Sequence, residues 1–148
     1  MPDRVKNNNT LLGVDSNMNG VRDDLDIIIN RNFKDYNERM AAREFVRSFK
    51  NWYAICDKKS HDSMIIIPTI LEIESAIECL KFINTQTNVL LIAHLKLINK
   101  ILFNNTAREN CFDYYKELSS KYQSNVNNHS KCKFPIKNYE SIQKNFRK

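Results

Sequence analysis

Apolar residues along this chain recur every three or four positions, the spacing that lines one face of a helix. Leu25, Ile28, Ile29, Asn32 and Tyr36 form the first stripe, and Ala42, Phe45, Val46, Phe49, Trp52, Tyr53 and Cys56 form a second over residues 36–56. The two are either one continuous helix or are broken near residues 32–35. Residues 57–62, Asp-Lys-Lys-Ser-His-Asp, make a polar turn. Ile70, Ile73, Ile77 and Leu80 predict a third helix that either starts at Pro68 or is kinked there, and the polar residues 84–87 end it. Thr87 or Asn88 can cap a fourth helix over residues 89–103, apolar on most of its circumference and therefore expected at the centre. Thr106 with Glu109 forms a capping box for a fifth, facing the core with Cys111, Tyr114, Tyr115, Leu118 and Tyr122. Residues 123–133 read as a polar loop, and Asn138 can cap a short last helix bearing Tyr139, Ile142 and Phe146.

Composition narrows the class. A chain of 148 residues fits one domain, which buries roughly two-thirds of its unfolded surface. Two glycines and three prolines are too few for a sheet-and-turn protein, so the expected fold is all-α, a single-domain up-and-down bundle of five to six helices. Residues 1–13, with Pro2, the Asn7-Asn8-Asn9 run and Gly13, read as a flexible N-terminal arm without a helix. Residues 123–148 read as a tail. The most apolar stretch, 89–103, is interrupted by His94, Lys96, Asn99 and Lys100, so no transmembrane segment is expected. The formal net charge is +6, but the basic residues are spread among seventeen acidic ones. No basic helix interleaves with aromatics, which argues against nucleic acid and leaves a mildly basic surface able to steer an acidic protein partner.

One stretch specifies a chemistry. Residues 15–26 place Asp15, Asn17, Asn19, Asp23 and Asp26 at the first, third, fifth, ninth and twelfth positions of a short loop, with Gly20 sixth and Val21 seventh. Six to eight hard oxygen donors from such a loop suit calcium, with the Val21 carbonyl contributing from the main chain and glycine allowing the sharp turn. Asp23, Asp24 and Asp26 then open the following helix, where negative charge suits the helix dipole.

The Asp-x-Asn-x-Asn-Gly-Val-Arg-Asp-Asp-x-Asp pattern resembles the EF-hand loop, and more closely the calcium loops of dockerins and thrombospondin type 3 repeats. The resemblance implies bound Ca2+ with metal ligands Asp15, Asn17, Asn19, Val21, Asp23 and Asp26. It departs from the EF-hand in having no entering helix and no second loop, Asp in place of Glu at the last position, and Arg22 at the eighth, usually apolar. These departures point to a structural role for the ion rather than a sensor's. A dockerin-like loop opening a small helical domain is also similar to exported bacterial proteins, which implies an envelope protein acting by binding. The concrete expectation is a calcium-stabilised periplasmic inhibitor or immunity protein whose protein partner is a toxin or enzyme. The alternative is a dockerin-like surface or secreted assembly module.

Four cysteines, Cys56, Cys79, Cys111 and Cys132, form an even set without CxxC or zinc spacing, so two disulfides in an oxidising compartment are expected. Residues 1–6 are not followed by an apolar core, so the chain is either cytosolic with four thiols or, the expectation favoured by its cysteines, a mature periplasmic or secreted region whose signal sequence is absent from this chain. In an up-and-down order, residue 56 lies at the start of the third helix and residue 79 near its far end. The stretch 68–79 alone spans roughly 16 Å, beyond the ~7 Å limit for a bridge. The fifth helix begins level with the end of the second, which pairs Cys56 with Cys111 and leaves Cys79 for Cys132. No catalytic constellation is evident: His61, His94 and His129 are scattered, His94 reads as a core histidine bonded to a carbonyl, and His129-Ser-Lys-Cys132 is at most half of a zinc site.

Overall fold

A computed structural model describes residues 1–87, 91–122 and 132–136, excepting the side chains of 85–87 and 91–94. Six helices and no strand occur among the described residues: α1 (Arg4–Asn8), α2 (Asp23–Asn32), α3 (Tyr36–Lys58), α4 (Ser63–Thr87), α5 (Leu91–Leu102) and α6 (Thr106–Lys121). The protein is an all-α bundle. The expected last helix after Asn138 and most of the loop before it lie outside the described residues.

The first two stripes are separate helices. Asp35 caps α3 by accepting the Glu38 N–H, and Arg39 donates to the carbonyls of Phe33 and Lys34, fixing the corner between them. At the far end Lys59 takes a left-handed conformation, φ +47°, and its N–H closes on Cys56. A short connection then returns the chain as α4, so the two longest helices are antiparallel neighbours.

Pro68 neither starts α4 nor ends it. The helix begins five residues earlier, where Asp62 accepts the Met64 N–H, and Pro68 lies inside. Its missing N–H deprives the Met64 carbonyl of a partner, a small cost at a position that is 84% exposed and open to water. The expected break at 84–87 is also absent, since α4 runs through Thr87 and buries Ile83. Thr87 is therefore the last residue of α4 rather than a cap for α5, and Asn88 lies outside the described residues.

The centre belongs to α3, not to the more apolar α5. Ala41, Ala42, Phe45, Val46, Ser48, Phe49, Trp52, Tyr53 and Ile55 are all buried, which covers far more than one stripe, and α2, α4 and α6 all pack on this helix. Small residues Ala41, Ala42 and Ser48 let neighbours approach closely. The Phe49 ring meets Phe45, Phe103 and Tyr115 edge-on at 5.3, 5.3 and 5.6 Å, a geometry favoured by the ring quadrupole. By contrast Lys96 and Lys100 of α5 stay exposed while Ile98 and Leu102 face inward, so the described part of α5 is amphipathic.

Two further expectations shift. Residues 1–13 carry α1, capped by Asp3, whose carboxylate accepts the N–H of Val5 and Lys6. The cap of α6 is Asn105, which accepts the Arg108 N–H at 2.9 Å, so Thr106 is the first helical residue instead of the cap. Asparagine caps slightly better than threonine, and moving the start by one residue still leaves Glu109 in the first turn. The disulfides join Cys56 to Cys111 and Cys79 to Cys132, with Cα atoms 5.7 and 5.0 Å apart, the pairing expected from the helix order. Such pairs belong to chains that mature in an oxidising compartment. No helix among the described residues is long and apolar enough to cross a membrane.

Candidate metal centre

Residues 15–22 leave α1 behind and lead into the N-terminus of α2. Hydrogen bonding at the base closes the loop, because the Asp23 N–H donates to the Val14 carbonyl at 2.8 Å and the Val14 N–H to Asn7 Oδ1 at 3.0 Å. Inside it, Asp15 accepts the N–H groups of Asn19 (3.2 Å) and Gly20 (2.8 Å) on its two carboxylate oxygens. Asn17 Oδ1 also accepts the Asn19 N–H, and Asn19 Oδ1 accepts that of Val21. These bonds curl the chain so tightly that Met18 and Gly20 take φ of +53° and +82°. A side chain at residue 20 would be strained by that angle and would also press on Arg47, whose Cγ lies 3.2 Å from where a Cβ would stand.

The loop is bolted to the core from both sides. Val21 is wholly buried, and Arg47 of α3 donates to the Asn19 carbonyl at 2.7 Å. Asp26 accepts from Asn19 Nδ2 on one oxygen and from Arg43 Nε on the other, each at 2.8 Å. Burial works to raise the Asp26 pKa, but the bonds from Arg43 and Asn19 and the Arg43 charge outweigh it and hold the carboxyl below its ordinary value.

Asp15, Asn17, Asn19 and Asp26 are thus drawn into one hydrogen-bonded turn. Asp23 is engaged with Ser16 instead, accepting its N–H at 2.9 Å and its hydroxyl at 2.6 Å. Val21 contributes its buried side chain as an anchor. The donor set is all oxygen and carries three carboxylates, chemistry that fits a hard dication. Arg43 already compensates part of the charge of Asp26.

Beneath the loop lies a polar network that the sequence does not announce. Arg22 is buried, with Nε 2.6 Å from Asp24 Oδ1 and Nη2 donating to the Ile101 carbonyl, where it and the Tyr53 hydroxyl on Leu102 close the C-terminus of α5. Asn7 donates to the second oxygen of Asp24. Arg108, with no exposed surface, donates to the carbonyls of Asn7, Thr10 and Leu11 and to the side chains of Asn8 and Asn104. Burial and the nearby Arg22 charge push its pKa down to about 10. The only hint in the sequence is an arginine at the loop's usually apolar eighth position.

A second feature was also missed. A groove of about 490 Å³ over the Cys56–Cys111 bridge is lined by Leu11, Lys59, His61, Ala107 and Tyr114, and His61 Nδ1 stands 3.3 Å from the Tyr114 hydroxyl. The sequence left His61 alone in a turn; the antiparallel return of α6 supplies its neighbour. His94's side chain and His129 lie outside what is described. Comparison with family models, with curated proteins and with solved structures returned no match for this chain.

Proposed function

We propose that residues 15–26 hold a structural calcium ion and that the domain is an exported protein-binding module, in its most concrete form a periplasmic inhibitor or immunity protein that neutralises a toxin or enzyme. The observation that carries the metal half is the gathering of Asp15, Asn17, Asn19 and Asp26 into one turn tied to α3 by Arg43 and Arg47. Calcium, when bound, supplies the positive centre that offsets carboxylates crowded at the start of α2. Asp15 and Asp26 act as the fixed ends of the loop, and Asn17 and Asn19 orient neutral oxygens between them. Because Val21, Leu25 and Ile29 continue directly into the core, ordering the loop sets where α2 begins. For the binding half, Met64 and Ile65 at the start of α4 are 84% and 51% exposed, with Ile67 beside them, an apolar edge suited to a partner. Two disulfides fit an exported chain.

One preparation tests both halves. Calcium should bind the intact chain with 1:1 stoichiometry by calorimetry, chelation should lower the melting temperature while leaving the helical signal, and Asp15→Ala should abolish the calcium-dependent shift. Immobilised protein should retain a single stoichiometric enzyme partner from envelope extracts. Absence of calcium binding at millimolar concentration refutes the metal half, and recovery of polysaccharide-associated scaffolds instead supports the assembly-module reading.

A further inference from the structure

The bridge between Cys79 of α4 and Cys132 packs on the hydrophobic core, yet a buried carboxylate, Glu44 of α3, faces it. One ligand atom from each of Glu44, Cys79 and Cys132 lies within 4.8 Å of the others. Around a tetrahedral zinc ion with bonds of about 2.0–2.3 Å, neighbouring ligand atoms stand about 3.5–4 Å apart, so a side-chain adjustment alone brings three donors to zinc distance. We propose that reduction of the Cys79–Cys132 disulfide creates a zinc site formed by the two thiolates and the Glu44 carboxylate, with the fourth position open to water.

The carboxylate is the telling member. Glu44 is buried, and both its oxygens face the same donor, the Lys133 N–H at 3.3 and 3.2 Å. Burial raises its pKa above the ordinary value even though that N–H and the charges of Lys133 and Arg47 pull it down. A buried carboxylate is stabilised by a directly bonded positive charge, and a dication would supply one. Two thiolates select zinc over calcium, so this site and the loop at residues 15–26 take different ions and do not depend on each other.

The chemistry is balanced by an external dithiol. Its thiolate attacks the Cys132 sulfur, since Cys132 is partly exposed whereas Cys79 is fully buried, and Cys79 leaves as a thiolate. The dithiol's second sulfur displaces Cys132 and departs as a cyclic disulfide, leaving two protein thiols. Zinc binding then releases the two thiol protons and blocks reoxidation while the metal stays bound.

Cobalt(II) is the probe, read by the thiolate-to-cobalt charge-transfer band of the full chain reduced with dithiol and freed of it anaerobically. Expected results are one equivalent bound after reduction, none by the oxidised chain, displacement by zinc, and loss of the band in Cys79→Ala/Cys132→Ala. Glu44→Gln keeps every cysteine and so separates a built site from thiols in a loosened chain. It should weaken binding by at least the ~10-fold that even an outer-shell partner is worth. Circular dichroism confirms that wild type and Glu44→Gln keep equal helicity. Equal affinity in Glu44→Gln, an unchanged band in the double cysteine variant, or equal binding by the oxidised chain overturns the proposal.

Discussion

Tyr53 and Tyr115 show how far a single buried side chain can be made to report on the fold. Tyr53 has a partner, the Leu102 carbonyl at 2.8 Å, whereas Tyr115 packs between Phe49 and Trp52. Burial, with the Glu74 charge adding to it, pushes the Tyr115 hydroxyl up to about 12, and burial pushes that of Tyr53 up further still. A folded pKa above the unfolded value of about 10 means the native state holds the proton longer. The resulting stability is intact below pH 10 and is lost as pH rises through the folded value. Arg108, lowered to about 10, acts with the opposite sign, so the contribution of Tyr115 is best isolated by difference. Tyr115→Phe should match wild type at pH 7 within about 1 kcal/mol and lose less stability between pH 9 and 12 in urea titrations. Identical alkaline slopes for the two proteins would show that Tyr115 ionises without cost. None of this was legible in the sequence beyond Tyr53 and Tyr115 being core residues. The buried arginines were less legible still, because an arginine is ordinarily exposed and nothing local in the sequence marks the distant partners that let Arg22 and Arg108 be buried.

At the scale of elements, what the sequence reveals is the stripe, and what it blurs is the end. All the stripes of residues 25–83 and 111–118 became helices, yet α4 starts five residues before Pro68 and runs through 84–87 because tertiary burial of Ile66 and Ile83 outweighs local propensity. The helix α1 was invisible for a related reason. Five residues cannot hold a helix alone, and its support comes from Arg108, about a hundred positions away, which donates to the Asn7 carbonyl. The cap of α6 is a one-residue version of the same problem, since Asn105 and Thr106 are both good caps and only the φ/ψ of −140° and 167° at Asn105 identifies the one in use. Asn105→Ala should therefore cost about 1 kcal/mol in thermal melts, and Thr106→Ala, at the first helical position, a few tenths. The reverse order would restore the capping box read from the sequence.

For the whole molecule, helix order was the most legible feature and depth the least. The up-and-down order sufficed to choose one cysteine pairing of three, whereas the centre was misassigned to α5 because apolar content does not say how many neighbours a helix has. The two bridges close loops of similar length, with separations of 55 and 53 residues, so the chain-entropy model assigns each about 4 kcal/mol. They should nevertheless differ when removed. Cys56–Cys111 joins helices already locked by Trp52 Nε1 on the Cys111 carbonyl and by the Phe49–Tyr115 contact, so neither partner can leave and the full unfolded-state term is lost. Cys79–Cys132 instead fastens residues 132–136, whose other polar ties among the described residues are the Glu44–Lys133 bonds and the exposed Lys133–Glu72 pair at 3.2 Å. With neither a bridge nor thiolates that could hold a metal, that segment can detach, and its regained freedom in the native state offsets part of the loss. Cys56→Ala/Cys111→Ala should consequently lower the urea midpoint more than Cys79→Ala/Cys132→Ala, and only the latter should become open to trypsin at Lys133 while the helical signal persists. Equal midpoints with Lys133 still protected would mean that the carboxylate of Glu44, rather than the disulfide, holds the tail on the bundle.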